Sequence, residues 1–258
     1  MNSSIHPTAI IDDDAGIAGD VGIGPYAVVE SNVVIGRGTM VGASAFIGRG
    51  TQLGEDIRVF PHAVVGTVPQ DLKFGGEETT LEIGDRTVVR EFATLNRGTH
   101  ARGKTTVGSD CLIMAYSHVA HDCIVGNNCI LANSATLAGH VTLEDWVIVG
   151  GLVPVHQFVK IGCHAMIGGG WRVSKDVPPY VTAAGDPLKP VTINSVGLER
   201  RGFSGETIAN LKKAHRVLFR SGTDLTGSIE ALDELGDMGP EVEHIKEFIR
   251  KSERGVIM

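Results

Sequence analysis

The chain has 258 residues and a formal charge of −7, with 42% hydrophobic and 5% aromatic residues. Ile, Leu and Val number 66, about a quarter, which excludes a disordered chain, and the acidic balance disfavours a general binder of nucleic acid or anionic membrane. The opening MNSSIHPTAIIDDD has no basic-then-apolar leader, no apolar run reaches the ~18 residues of a membrane span, and the four cysteines form no CxxC pair, so a cytoplasmic protein is expected.

A six-residue clock starts at Ile5. Ile11, Ile17, Ile23, Val29, Ile35, Val41, Ile47, Leu53, Val59 and Val65 follow at that spacing, and the phase resumes at Ile83 and runs to Val173. Of the 29 positions, 26 are Ile, Val or Leu, where a one-in-four background gives about seven, so the period is a structural repeat. Gly follows the aliphatic twelve times, as at Gly42, Gly108 and Gly150, and is read here as a corner needing a permissive backbone. Two residues before it the side chain is small or β-branched, Ala27, Thr39, Ala63 and Ser117 among them. Cys111, Cys123 and Cys129 fall in that column and read as small core residues rather than metal ligands. A hexad is neither helical nor a plain alternation; it implies a parallel β-helix built from short strands and corners. Asp71, Glu77 and Ala101 break the column, so loops near 67–80 and 97–104 are expected to leave the coil without losing phase.

Past Val173 the pattern stops. Pro178, Pro179, Pro187 and Pro190 mark a closing segment. Ser204 then reads as the N-cap of a helix with Ile208, Leu211, Leu218 and Phe219 on one face and its end near Gly222. Further helices are expected near 228–235 and 241–252, giving a β-helix over 1–190 and a helical domain over 191–258.

With three hexads per coil, residues 18 apart stack at about one strand spacing, ~4.8 Å. His121 then lies under Gly139 and Gly139 under Gln157, while Asp122 lies under His140 and His140 under Phe158. His118 and His156 fall at the same corner, outside the inward column. A histidine beside a carboxylate and under a glycine N–H is the equipment of general-base chemistry with an oxyanion donor. A zinc site is the rival, since His is a common ligand. The zinc-binding gamma carbonic anhydrases of this fold take a His pair separated by four residues, whereas His118 and His121 are separated by two.

The segments QDLKF (70–74), SHVAHDC (117–123), LAGHV (137–141), VHQF (155–158), DVPPY (176–180) and GLERRGFS (197–204) resemble the UDP-N-acetylglucosamine O-acyltransferases of lipid A synthesis, over essentially the whole chain. The resemblance implies a mainly β protein, a left-handed parallel β-helix followed by a small α-helical domain. It implies transfer of an (R)-3-hydroxyacyl chain from acyl carrier protein to the sugar 3-hydroxyl of UDP-N-acetylglucosamine, with no cofactor, in a homotrimer with shared active sites. His121 then matches the general base, Asp122 its carboxylate and the Gly139 N–H the oxyanion donor. Gln70, Asp71 and Lys73 match substrate-loop contacts, and His118, His140, His156 and Gln157 positions around the acyl and sugar groups. Asn194, Arg200 and Arg201 match nucleotide-side contacts, where arginine suits a diphosphate. Many members carry an acidic residue two after that Asn; here it is Val196. Gly169 matches the position that limits acyl length. It stacks on Gly151, so an open groove is expected to favour a long chain, on the order of fourteen carbons.

Other readings stay open at this point. A sister enzyme N-acylates an acylated glucosamine but carries an extra N-terminal domain, for which hexads starting at Ile5 leave no room. A structural or ice-binding β-helix shows regular Thr ladders without loops. Whether the sugar presents a 3-hydroxyl or a 3-amino group is not legible. An acidic carrier protein needs a local basic patch, and residues 196–221 supply Arg200, Arg201, Lys212, Lys213, Arg216 and Arg220 against Glu199 and Glu206.

Overall fold

The structure, a computed structural model, describes residues 4–222 and 224–258. Each hexad makes a strand of about two residues, the second aliphatic and turned inward, and each corner carries the chain to the next face. The strands fall into three stacks that form the faces of a prism. Face 1 runs from Ser4–Ile5 to Met166–Ile167, face 2 from Ile10–Ile11 to Pro154–Val155, and face 3 from Gly16–Ile17 to Lys160–Ile161. Pairing within these stacks is parallel, and the whole is a left-handed parallel β-helix. The aliphatic column fills the interior: Ile35, Ile47, Leu95, Ile113, Leu131, Leu143 and Ile161 are all sealed from solvent.

The 18-residue register holds where no loop intervenes, as in Ile5↔Ile23 and Val125↔Leu143. Across the first loop it widens to 30, pairing Leu53 with Ile83, and across the second to 24, pairing Leu95 with Val119. The insertions are thus two hexads and one hexad long, which is why the column keeps its phase.

One expectation needs correction. The glycines that follow the aliphatic do not serve a left-handed backbone; only Gly66 among them has a positive φ. They are required by close approach between coils. A Cβ on Gly150 would sit 2.6 Å from the Gly169 nitrogen, and one on Gly42 would sit 2.7 Å from the Pro61 nitrogen. The left-handed residue comes two positions later, third after the aliphatic, with φ of 55–65° at Asn32, Asp56, Tyr116, Asp122, Asn128, His140, Trp146 and Phe158. Asn and Asp accept that conformation through their short polar side chains; larger residues pay about 1–2 kcal/mol. Stacking of the aromatic ones from coil to coil offsets this: His62–Phe92–Tyr116 at 5.1 and 5.2 Å, and His140–Phe158 at 4.5 Å.

The small-residue column is buried and has a further use. Thr39 and Ser117 donate their hydroxyls to the corner carbonyls of Gly54 and Ala132, 15 residues on. Cys111, Cys123 and Cys129 do the same with their thiols, toward Gly126, Ala138 and Glu144 at 3.1–3.2 Å. Burial pushes the Cys123 thiol up to about 12, in keeping with a packing role.

Above the prism, an antiparallel hairpin, Val181–Ala184 with Lys189–Ile193, closes face 1. The boundary expected at 190/191 falls inside its second strand. Among the described residues four helices follow: α1 (Ser195–Arg200), α2 (Gly205–Arg220), α3 (Leu225–Glu234) and α4 (Pro240–Arg250). Ser204 caps α2 by accepting from the Thr207 N–H, as its position predicts. α3 begins three residues earlier than expected because Asp224 caps it through the Gly227 N–H. The tail then folds back on the prism. Asp176 of the DVPPY segment is buried, accepts from Lys160 N and Ser252 Oγ, and exchanges backbone bonds with Gly255 and Ile257. No helix among the described residues is long and apolar enough to cross a membrane.

Candidate active site

The corner between faces 2 and 3 brings together the residues that coil arithmetic stacked. Asp122 sits there in the left-handed conformation, its side chain 0% exposed. One carboxylate oxygen accepts from the Thr99 and Arg102 N–H groups at 3.1 and 3.2 Å. The other accepts from Thr99 Oγ1 at 2.6 Å and pairs with His121 Nδ1 at 2.7 Å. Burial alone would raise this carboxyl, but the Thr99 and His121 hydrogen bonds outweigh it and hold the group below its ordinary value. An ionised carboxylate only accepts, so the His121 Nδ1 facing it carries a proton, and in the neutral ring the lone pair is then on Nε2.

The Cε1–Nε2 side of the His121 ring lies against Gly139. A Cβ at that position would stand 2.6 Å from His121 Cε1 and 2.7 Å from Nε2, so only glycine lets the imidazole occupy this place. Around it the backbone is committed: His140 N donates to His121 O, and Phe158 N donates to Gly139 O. Among the described residues the Gly139 N–H meets no acceptor. The contrast with the corner between faces 3 and 1 is instructive. There the equivalent N–H groups of Glu55, Ser109 and Asn127 are capped by Asp85, Asn127 and Asp145 of the next coil. Above Gly139 the next coil places Gln157, which is exposed and leaves that N–H open.

His140 stacks on Phe158 and meets the His121 ring edge-on at 5.1 Å. Burial lowers its pKa, with the Asp122 carboxylate pulling the other way, so it stays a neutral imidazole near pH 7. The charge of Asp71, from the first loop, also reaches it. Asp71 itself turns the loop by accepting from the Lys73 N–H at 3.0 Å, and Gln70 and Lys73 are exposed on either side. Leu72 at the tip of the same loop is fully exposed.

One expected position differs from the sequence reading, and the others have partners that spacing does not show. His118 does not share the corner; it stands on the outer side of face 2, in strand His118–Val119, with Nδ1 2.7 Å from Thr94 Oγ1. Burial lowers its pKa as well. His156 is at the corner but turned toward the tail, 3.2 Å from Arg254 Nη2. Gly169 does stack on Gly151, yet on the corner at the other edge of face 2, about three strand spacings or ~14 Å along the prism from His121. Asn194 is buried and occupied, capping α1 through the Gly197 N–H and donating to His164 O. Arg201 lies over the Trp146 ring at 4.9 Å and 3.1 Å from His164 Nδ1, while Arg200 and Val196 face solvent. Thr99, Arg102 and Thr105, whose hydroxyl accepts from Asp122 N, were missed: they enter from the second loop and the strand after it. The phase break at Ala101 was their only signal.

The donor atoms of His121, Asp122 and His140 lie within 4.8 Å of one another, so the zinc alternative has a geometric basis. The bonding argues against Asp122 as a ligand. All of Asp122's hydrogen-bonding capacity goes to Thr99, Arg102 and His121, an arrangement that fixes an imidazole tautomer.

Comparison with known proteins accords with this geometry. Residues 104–139 match the bacterial transferase hexapeptide family, described as six repeats, and residues 176–257 match the family described as Udp N-acetylglucosamine O-acyltransferase, domain 2. The chain is 52% identical over 259 residues to the acyl-[acyl-carrier-protein]–UDP-N-acetylglucosamine O-acyltransferase of Paracidovorax citrulli, covering 98% of this chain and 99% of that one. It is 48% identical over 260 residues to the enzyme of the same name from Janthinobacterium sp., with 99% of each chain covered. The solved UDP-N-acetylglucosamine acyltransferase of Bacteroides fragilis superposes with a TM-score of 0.96 at 44% identity, over 98% of this chain and 99% of that one. With its hexad prism, its helical tail and the His121 corner, this chain is a member of the UDP-N-acetylglucosamine O-acyltransferase family of acyltransferase enzymes.

Proposed function

We propose that the chain transfers an (R)-3-hydroxyacyl group from acyl carrier protein to the 3-hydroxyl of UDP-N-acetylglucosamine, opening lipid A synthesis. One observation carries this reading: an imidazole held by a buried carboxylate, its free nitrogen against Gly139, whose N–H meets no acceptor among the described residues. His121 Nε2 takes the proton of the sugar hydroxyl as its oxygen attacks the thioester carbonyl. The Gly139 N–H receives the developing oxyanion, and the imidazolium returns the proton to the departing thiol of the carrier. Neutral His140, the Asp71 loop, His118 and Gln157 line the approach of sugar and acyl chain, with Arg200 and the Asn194–Arg201 region on the nucleotide side. No cofactor is needed for this chemistry. Lys212, Lys213, Arg216 and Arg220 are exposed on α2 and supply the basic patch for an acidic carrier. Cytoplasm is the compartment, in keeping with four unpaired cysteines.

A product assay tests the reading. Purified enzyme is offered UDP-N-acetylglucosamine or its 3-amino analogue, with 3-hydroxyacyl carrier proteins of graded length, and products are weighed by mass spectrometry. The expected product is the 3-O-acyl sugar with a chain of about fourteen carbons, since each buried CH₂ adds roughly 0.8 kcal/mol. Gly169 and Gly151 stack with no side chain on either, so the side chain of Gly169→Met is expected to fill that room and shift preference to shorter donors. No acyl sugar from either acceptor overturns the reaction; an unshifted chain preference in Gly169→Met moves the length stop elsewhere.

The assembly proposed with this reading is a homotrimer. Leu72 is fully exposed at the loop tip and Val68 more than half exposed, apolar surface that a neighbouring copy would cover. Light scattering at micromolar concentration is expected to give three times the chain mass; a monomer with full activity contradicts it.

A further inference from the structure

The corner between faces 3 and 1, away from His121, carries a second cluster that the proposed reaction does not use. Glu144 and Cys163 stand on successive coils there, and His244 of α4 comes down on both. Glu144 Oε2 accepts from the Cys163 N–H at 2.8 Å and lies 2.8 Å from His244 Nε2. With the Cys163 thiol, these three groups offer one donor atom each, all within 4.8 Å of one another.

We propose that Glu144, Cys163 and His244 bind one zinc-class divalent cation that clasps α4 to the prism. The donor set selects the metal: thiolate and imidazole favour zinc over magnesium or calcium, which take oxygen ligands. Thiolate and carboxylate together carry two negative charges and balance the ion. Bonds of about 2.0–2.3 Å to a tetrahedral ion place ligand atoms ~3.4 Å apart, so small side-chain rotations from the present 2.8 Å contact suffice. His244 and Glu144 side chains are 35% and 32% exposed, which gives the ion a path in and leaves a fourth position for water. Tyr180, buried beside them, meets the His244 ring edge-on at 6.3 Å and holds its orientation. On binding, Cys163 gives up its thiol proton and His244 the proton it shares with Glu144, both to solvent. The clasp joins segments 100 residues apart, so metal would stabilise the docking of the tail and leave the chemistry at His121 unchanged.

The test uses full-length enzyme stripped with a chelator and titrated with zinc, then with cobalt as a spectroscopic stand-in. Expected are one equivalent bound per chain, a thiolate-to-cobalt charge-transfer band and a higher Tm with zinc. The band should vanish in Cys163→Ser, a variant that keeps the Glu144–His244 ion pair and hence the docking of α4. Binding should also weaken at least tenfold in His244→Gln and persist in His121→Ala. Absence of the band in the parent, its survival in Cys163→Ser, or its loss in His121→Ala overturns the proposal, the last by placing the metal at the other corner.

Discussion

His121→Ala is expected to lower acyl transfer by roughly 10²–10⁴-fold, the contribution of one positioned general base, with Tm essentially unchanged. The two halves of that expectation have separate grounds. The imidazole faces out of the prism and is outside the aliphatic column, so its loss opens no interior cavity. Its carboxylate partner keeps three other donors, Thr99 N, Thr99 Oγ1 and Arg102 N, so Asp122 is not left as a bare buried charge. The residual activity should be that of the Gly139 N–H and substrate positioning alone. Steady-state rates with saturating donor, set beside a thermal melt, read both halves at once. A variant within a few-fold of the parent would remove His121 from the role of base.

Much of this site was legible because the fold is periodic. Once six residues make a strand and a corner, residue spacing becomes height along the prism. The stacking of Gly139 on His121 and of His140 above Asp122 follows from an interval of 18 alone. The same reasoning fails wherever the chain leaves the coil. Thr99 and Arg102 sit 23 and 20 residues before Asp122, intervals that no repeat predicts, because the second loop folds back over the corner by its own local bonding. The glycine column is ambiguous in sequence for a related reason. A glycine column announces that something is too close for a side chain, but only the structure shows that the neighbour is the backbone of the next coil. The left-handed positions were visible in another column, where Asn, Asp and Gly recur third after the aliphatic at Asn32, Gly38, Gly50, Asp56, Asp110 and Asn128. His118, directly before the inward Val119, faces out from a strand, whereas His121 lies past Val119 on the corner. Asn194 and Arg201 lie beyond the last coil, where no repeat fixes neighbours, and their contacts with His164 are tertiary.

The loop–carboxylate contact leads to the second large effect. Asp122→Asn is expected to reduce transfer by about 10²–10⁴-fold while leaving the fold nearly intact. Asparagine tolerates the φ of 59° at this position, and its carbonyl oxygen can still accept from the Thr99 and Arg102 N–H groups, keeping the second loop in place. Its amide nitrogen, however, must take the place of the oxygen that pairs with His121 Nδ1. Two donors cannot face each other, so the imidazole is driven to its other tautomer, with the proton on Nε2 and no lone pair toward the sugar hydroxyl. Asp122→Ala separates this electronic effect from a mechanical one. It strands two N–H donors at about 1–3 kcal/mol each, and it puts a side chain without local hydrogen bonding into the left-handed region. Its Tm should therefore fall by several degrees where that of Asp122→Asn does not. Near-parental turnover in Asp122→Asn would show that the carboxylate only anchors the loop, and the tautomer argument would fall with it.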